Sequence, residues 1–170
     1  MSLPLAPGAG LTPGEQIACL VLPALPMSAR WARRQVTAAL SAWHVPQDAV
    51  QSAELVVSEF ASNAITVTAN KPGDHDVASA QRISVTLRLL PGRVVIEVMD
   101  SDPRPPALAD VGPDAEDGRG LHLVQAFAKE WGYYAPPSGG KVVFAVLSTS
   151  ESETAGHSGD GTPGTGEAAV

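Results

Sequence analysis

ELVVSEFASNAI, at residues 54–65, lies within the longest helical pattern of this 170-residue sequence. Apolar side chains recur there at spacings of three and four residues, and others extend the apolar surface beyond one stripe. The spacing predicts a helix over residues 46–67 that is buried on most of its sides. Four polar side chains fall on one narrow strip of that helix: Ser52, Glu59, Asn63 and Thr66. Polar groups on a buried helix need partners, which protein, water or a ligand can supply.

Strand and helix patterns on both sides of this helix predict an α+β domain. The predicted elements, in chain order, are a strand at residues 17–22, helices at 28–43 and 46–67, and strands at 82–90 and 93–100. A long loop at 101–118, a helix at 121–131 and a strand at 140–147 follow. A Pro-Gly turn joins the second and third strands into a hairpin. This order predicts a two-layer sandwich, with a mixed β-sheet and helices on one face.

The two ends of the chain differ in composition from its centre. Residues 1–16 are rich in Pro, Gly and Ala, and we expect them to be disordered. Residues 148–170 are rich in Gly, Ser, Thr and Glu and contain no Lys or Arg, which predicts a disordered acidic tail. The folded domain is therefore expected to occupy residues 17–147.

The charge and cysteine content argue against several classes of protein. The formal net charge is -7 without a basic stripe, so we expect no direct binding to nucleic acid. Cys19 is the only cysteine, which excludes an intrachain disulfide and disfavours a structural zinc site. No signal-peptide pattern or membrane-spanning apolar run is present, so we expect a cytoplasmic protein that is not bound to a membrane. Arg30, Arg33 and Arg34 form either a docking patch for an acidic partner or a solvated helix face.

Three polar residues could carry chemistry. Glu59 and Asn63 are four residues apart and therefore share one side of the predicted helix. An Asn oxygen suits Mg²⁺, and a neighbouring carboxylate can accept a proton from an attacking hydroxyl group or water. Asp100 ends a strand, where its carboxylate can accept the exocyclic amine of adenine. The alternatives are that Glu59 and Asn63 contact only water and a loop, and that Asp100 forms an Asx turn with Ser101 and Asp102.

A glycine turn precedes the last predicted helix. Gly118-Arg119-Gly120-Leu121 can bring the backbone close to phosphate oxygens, and free N–H groups at a helix start attract anions. Arg119 could add a side-chain contact. The alternative is that these glycines only turn the chain, which is also the interpretation that we favour for residues 139–141.

In combination, these motifs resemble those of the histidine-kinase-like ATPase superfamily. The stretches that carry the resemblance are ELVVSEFASNAI (54–65), VVIEVMDSDPRPP (94–106), DGRGLHLVQAFAKEWG (117–132) and GGKVVFAVL (139–147). Within that superfamily, the compact chain is similar to the anti-sigma-factor serine/threonine kinases and to actinobacterial ATP-binding regulatory relatives. The resemblance implies a Bergerat-type ATP-binding fold.

The resemblance also implies a role for each residue that matches a family motif. Glu59 matches the catalytic base, Asn63 the magnesium ligand and Asp100 the adenine-binding aspartate. The residues placed at the nucleotide are Asn63, Asp100, Arg104, Gly118, Arg119, Gly120 and Leu121. The implied cofactors are therefore ATP and Mg²⁺.

Family members of this type phosphorylate a serine on an antagonist protein and sequester a sigma factor, usually as homodimers. The resemblance therefore implies a transcription regulator that is a protein serine/threonine kinase, with a sigma factor or an antagonist as its partner. The family usually has glycines after the aspartate, whereas residues 101–106 here are rich in proline, which stiffens the loop. Two alternatives follow: a nucleotide-gated interaction module with little or no turnover, and a relative that binds no nucleotide.

Overall fold

Eight helices and strands form the part of the chain that the computed structural model describes, namely residues 14–69, 81–106 and 120–149. In chain order they are β1 (Gln16–Pro23), α1 (Pro26–Ala42), α2 (Gln47–Ala69), β2 (Arg82–Leu90), β3 (Arg93–Asp100), α3 (Gly120–Phe127), β4 (Glu130–Tyr134) and β5 (Lys141–Ser148). This order agrees with the predicted one except for β4, which the sequence pattern does not predict.

The five strands form one sheet in the order β1-β2-β3-β5-β4, and its four pairings are all antiparallel. The predicted α+β architecture is confirmed, but the sheet differs from the mixed sheet that we predicted. The reason is the position of β5. β3 and β4 run in the same direction, as strands joined through a helix often do. β5 lies between them and runs antiparallel to both, so no parallel pair forms among the described strands.

The core lies between the helices and one face of the sheet. Alternate residues of the central strands, such as Val85, Ile96 and Ala145, are buried in the same apolar cluster as the helices. Helix α2 packs against α1, α3 and three strands, and Val57 and Phe60 are among its buried side chains. The prediction that this helix is buried on most sides is confirmed.

The predicted helix over residues 121–131 is wrong in its second half. Helix α3 ends at Phe127, and the N–H of Lys129 donates a 2.8 Å hydrogen bond to the carbonyl oxygen of Val146 on β5. The aromatic run that follows pairs with β5, as is typical of large aromatic residues on a sheet. A long-range pairing of this kind overrides the local apolar spacing that favours a helix.

The strand ends lie close to the boundaries that the sequence predicts. Strands β2 and β3 have the predicted bounds, and Gln16 and Ser148, assigned to the disordered ends, belong instead to β1 and β5. The rest of both predicted tails lies outside the described residues, apart from three residues that flank the strands. None of the described helices has the length and apolarity needed to cross a membrane.

Strand β5 begins close against the end of β3. The register pairs Lys141 with Asp100, and Gly140 precedes this pair with a φ of 75°. A Cβ atom on residue 140 would collide with the carbonyl oxygen of Asp100. Gly139 also has a positive φ, of 87°, but a Cβ atom there would meet nothing within 4 Å. Gly140 is therefore required by space as well as by backbone conformation.

We predict that Gly140→Ala lowers the free energy of unfolding more than Gly139→Ala does. Both variants add a side chain at positive φ, which costs about 1 kcal/mol. Only the change at residue 140 also forces the end of β3 to move, which adds roughly 1–3 kcal/mol. Urea unfolding of the two variants measures the difference. Equal losses would show that the two strands do not meet as closely as described.

Candidate functional site

A cavity of about 800 Å³ lies between α2, the carboxyl end of β3, the amino end of β5 and the start of α3. This volume is typical of pockets that hold a small molecule or cofactor. Its walls combine apolar strand residues, such as Val98 and Val143, with charged side chains at the strand ends. A ligand in it would contact both a dry apolar surface and fixed charges.

The cavity brings together most of the residues that the sequence predicts for a site. Six of them line it: Glu59, Asn63, Asp100, Arg104, Gly120 and Leu121. The other two, Gly118 and Arg119, lie outside the described residues. Residues that are far apart in sequence therefore share one cavity, although their roles at a nucleotide stay predictions.

Helix α2 forms one wall, and its predicted polar strip divides into two groups. Ser52 and Thr66 donate hydrogen bonds of 3.0 and 2.9 Å to carbonyl oxygens one turn earlier in the same helix. Such bonds satisfy the hydroxyl groups without a ligand. Glu59, half-buried, and Asn63, exposed, line the cavity. They are the two members of the strip whose chemistry suits a bound cation or a proton transfer.

The first residue of α3 lies directly against Glu59. A Cβ atom on Gly120 would collide with the Glu59 carboxylate. Glycine at this position therefore lets the start of the helix approach the acidic side chain, which any larger residue would displace. Gly120, which belongs to the predicted glycine turn, is therefore a neighbour of the predicted catalytic carboxylate.

Asp100 lies at the buried end of the cavity, and one oxygen of its carboxylate takes two hydrogen bonds. Oδ1 accepts from the N–H of Asp102 at 2.8 Å and from Nζ of Lys141 at 2.9 Å. The first bond is the Asx turn that we considered as an alternative, and it leaves Oδ2 to serve a ligand. Burial raises the pKa of Asp100, against the lowering effect of Lys141 and of the Asp102 N–H.

Lys141 is buried as deeply as the carboxylate that it contacts. Its side chain is 6% exposed, and Nζ also donates to the carbonyl oxygen of Asp102 at 3.1 Å. A buried ammonium group is stable in a protein only when it is paired and hydrogen-bonded. The pair joins β5 to the end of β3 and to the loop that follows.

The loop after β3 is held by a second ion pair. Asp102 accepts hydrogen bonds from the backbone N–H and from the guanidinium group of Arg104, the shortest of which is 2.7 Å. These bonds lower the pKa of Asp102 to about 2. Arg104 lines the cavity, but its side chain is 79% exposed and already bonded to Asp102. Its predicted contact with a nucleotide remains a prediction.

The sequence model of the histidine kinase-like ATPase domain matches residues 22–146. The chain belongs to this family. The match includes β2, β3 and β4 in full and most of β5, together with all the described residues that line the cavity. The family expected from the sequence motifs is therefore confirmed.

One solved structure that this ATPase domain resembles is the crystal structure of the RsbU and RsbW domains of Rv1364c from Mycobacterium tuberculosis. The TM-score is 0.55 at 20% sequence identity, and the similarity covers 78% of this chain and 32% of that chain. At this identity the similarity supports the fold alone. No curated protein matches the sequence.

The cavity of this histidine kinase-like domain fits the nucleotide and the cation that the family implies. Asp100 offers an acceptor at the buried end, and Gly120 and Leu121 line the cavity at the start of α3. Asn63 offers one amide oxygen, which suits Mg²⁺ because this ion takes few protein ligands and shares its shell with phosphates and water. Among the described residues, no three His, Cys, Asp or Glu side chains are grouped as metal ligands.

Lys141 is a charged residue of the cavity that the sequence analysis does not identify. The interpretation of residues 139–141 as a plain turn assigns no role to the lysine. A signal was nevertheless present, because Lys141 opens a strand that is otherwise apolar, KVVFAVL. A charge at the start of such a strand needs a buried partner or solvent. The sequence could not show that Asp100 would be that partner, since the pairing of β3 with β5 is long-range.

Proposed function

We propose that this domain binds ATP with Mg²⁺ in the cavity between α2 and the ends of β3 and β5. The buried carboxylate of Asp100 carries the proposal. Its Oδ2 atom can accept a hydrogen bond from the exocyclic amine of a purine, and the apolar walls beside it suit the purine ring. Membership in the histidine kinase-like ATPase family supports the same ligand.

The remaining cavity residues suit the phosphate end of such a ligand. Asn63 is the proposed Mg²⁺ ligand, and the backbone at Gly120 and Leu121 is the proposed phosphate contact at the start of α3. Gly118 and Arg119, which precede this turn, are proposed to extend the same contact. Bound Mg-ATP would supply the phosphoryl group for transfer.

We further propose that the domain is a protein serine/threonine kinase of the anti-sigma type. Glu59 would accept the proton of a substrate serine hydroxyl while the serine oxygen bonds to the γ-phosphorus. The bond from that phosphorus to the β,γ-bridging oxygen would break, and ADP would leave with its electron pair. The Glu59 carboxylate is held beside Gly120, at the point where the phosphates would lie. The chain would act on a protein antagonist or bind a sigma factor, and a homodimer, which the family resemblance implies, stays a prediction.

A second function, a nucleotide-gated interaction module with little turnover, is favoured by the loop after β3. Three prolines and the bonds between Arg104 and Asp102 restrict this loop beside the cavity. A loop that cannot rearrange leaves binding intact but slows steps that depend on closure. Turnover measurements separate the two functions.

We predict that Asp100→Ala weakens Mg-ATP binding by about 10-fold to 100-fold, the equivalent of one lost hydrogen bond to a charged group. Asp48→Ala, in the first turn of α2 and outside the cavity, is the matched control and should bind as the native chain does. Isothermal titration calorimetry measures all three dissociation constants. No heat of binding from the native chain would exclude the proposed ligand, and native affinity in Asp100→Ala would exclude the role of Asp100.

We predict that Glu59→Gln lowers phosphoryl transfer by about 100-fold or more while Mg-ATP affinity changes little, because the amide cannot accept the serine proton. Transfer of labelled γ-phosphate to proteins in a soluble extract of the source organism measures this loss against the native chain. A labelled product of undiminished intensity in Glu59→Gln would exclude Glu59 as the base. Binding of ATP without any labelled product from the native chain would favour the interaction module.

The exposed side of α1 is the proposed surface for the protein partner. Met27 and Trp31 are 59% and 47% exposed, and the Arg34 guanidinium carbon lies 5.9 Å from the centre of the Trp31 ring. Arg30 is exposed on the same side, one turn before Arg34. Trp, Met and Arg are the residue types that protein interfaces favour. Arg33, the third member of the predicted basic cluster, instead pairs with Glu54 on α2 at 3.5 Å.

We predict that the double change Arg30→Glu and Arg34→Glu prevents capture of an acidic protein partner by the tagged chain. Arg33→Glu should retain the partner, since this side chain faces α2 rather than the patch. Quantitative mass spectrometry of proteins co-purified from the source organism compares the variants. The same set of proteins on the native chain and the double variant would rule out this surface.

A further inference from the structure

Lys141 and Asp100 form a charge pair inside the cavity rather than on its rim. The pair is held from three sides: β5 supplies Lys141, β3 supplies Asp100, and the following loop supplies the N–H and the carbonyl oxygen of Asp102. All of these bonds fall on Oδ1 of Asp100 or on the ammonium group. Oδ2 is therefore the carboxylate oxygen that remains for a ligand.

We propose that Lys141 is a positioning residue for base recognition: its ammonium group keeps Asp100 an anion with Oδ2 as an acceptor. The site would then select a purine with an amino group at position 6 over one with a carbonyl group there. This inference rests on the proposed binding of a nucleotide in the same cavity. It adds a role for Lys141, to which the proposed function assigns none.

The environment of Asp100 explains why its ionisation needs Lys141. Val98 and Val143 line the cavity on the same two strands and are buried, so apolar side chains line the cavity beside the carboxylate and its polar partners. Burial raises the pKa of Asp100, and the negative charge of Asp102 raises it further. The Lys141 ammonium group and the N–H of Asp102 oppose that rise, and only the first carries a charge. Without the ammonium group, Asp100 would hold its proton at higher pH.

The position of that proton determines what the site recognises. Oδ1 accepts the N–H of Asp102, so the proton of a neutral Asp100 would lie on Oδ2. A protonated Oδ2 is a donor, which opposes the amino group of adenine but suits the 6-carbonyl group of hypoxanthine. Loss of Lys141 would therefore change the preferred base as well as weaken binding.

Other charged groups near Asp100 do not account for such a change. Asp102 has a pKa of about 2 and stays ionised at neutral pH, and Arg104 is bonded to it. Glu59 lies on the α2 side of the same cavity and is present in every variant below. Differences among variants altered at residues 100 and 141 therefore report on that pair.

The test compares ATP with inosine triphosphate, which differs at position 6 and in the proton on N1. Dissociation constants are measured by calorimetry with Mg²⁺ at about pH 6 and about pH 8.5, on either side of neutrality. The variants are Lys141→Met, which removes the ammonium group, and Lys141→Gln, which keeps a neutral donor. Lys129→Met, an exposed lysine outside the cavity, is the matched control and corrects for titration of the nucleotide phosphates.

The native chain and Lys129→Met should prefer ATP at both pH values. Lys141→Met should bind ATP roughly 10-fold more weakly than the native chain at the lower pH, recover affinity as the pH rises, and lose its preference over inosine triphosphate. Lys141→Gln should change in the same direction, which keeps the test valid should the methionine variant fail to fold. The double change Asp100→Asn and Lys141→Met should remove the pH dependence of ATP affinity that is expected for Lys141→Met.

An unchanged ratio of the two affinities in both Lys141 variants would overturn the inference while leaving nucleotide binding in place. The inference would also be overturned if nucleotide affinity still depended on pH in the double variant, because the titrating group would then not be Asp100. Binding of neither nucleotide by the native chain would instead overturn the proposed function itself.

Discussion

Two opposite charges, on Asp100 and Lys141, lie within the fold at the point where β3 ends and β5 begins. Transfer of either charge out of water is costly, and their attraction offsets that cost only while both remain paired and hydrogen-bonded. The contact at Gly140 brings the two strand ends close enough for this pair. The loop after β3 is attached to the same pair through Asp102. The pair thus fixes the buried end of the cavity.

The other wall of the cavity has a different chemical character. Most of α2 is apolar and buried, and the hydroxyl groups of Ser52, Ser58 and Thr66 are satisfied by carbonyl oxygens of the helix itself. Glu59 and Asn63 are the acidic and amide groups that this helix directs into the cavity. The site therefore has an ion pair at the buried strand ends and a carboxylate with an amide on the helix. A nucleotide would place its purine base at the ion pair and its phosphates beside the carboxylate and the amide.

The sequence predicts the parts of this fold that depend on local pattern. Alternation locates β2 and β3, the three-and-four spacing locates α2, and the family resemblance assigns Glu59, Asn63 and Asp100 to one site. The parts that it misses depend on long-range pairing. β4 forms because residues 130–134 find a partner in β5, and Lys141 acquires its role because the register places it beside Asp100. Neither partner can be read from the residues adjacent in sequence.

The proposed binding and phosphoryl transfer would depend on parts of the cavity that differ in rigidity. Asp100 is buried and held by two hydrogen-bond donors, so a base recognised there would be bound by a preorganised acceptor. Glu59 is half-buried, and its carboxylate is confined by the start of α3 because Gly120 lies against it. Any shift of α3 would therefore move the carboxylate or leave it unsupported, and a misplacement of about 1 Å can cost 100-fold in rate. The proposed transfer would thus be more sensitive than the proposed binding to a small movement of α3.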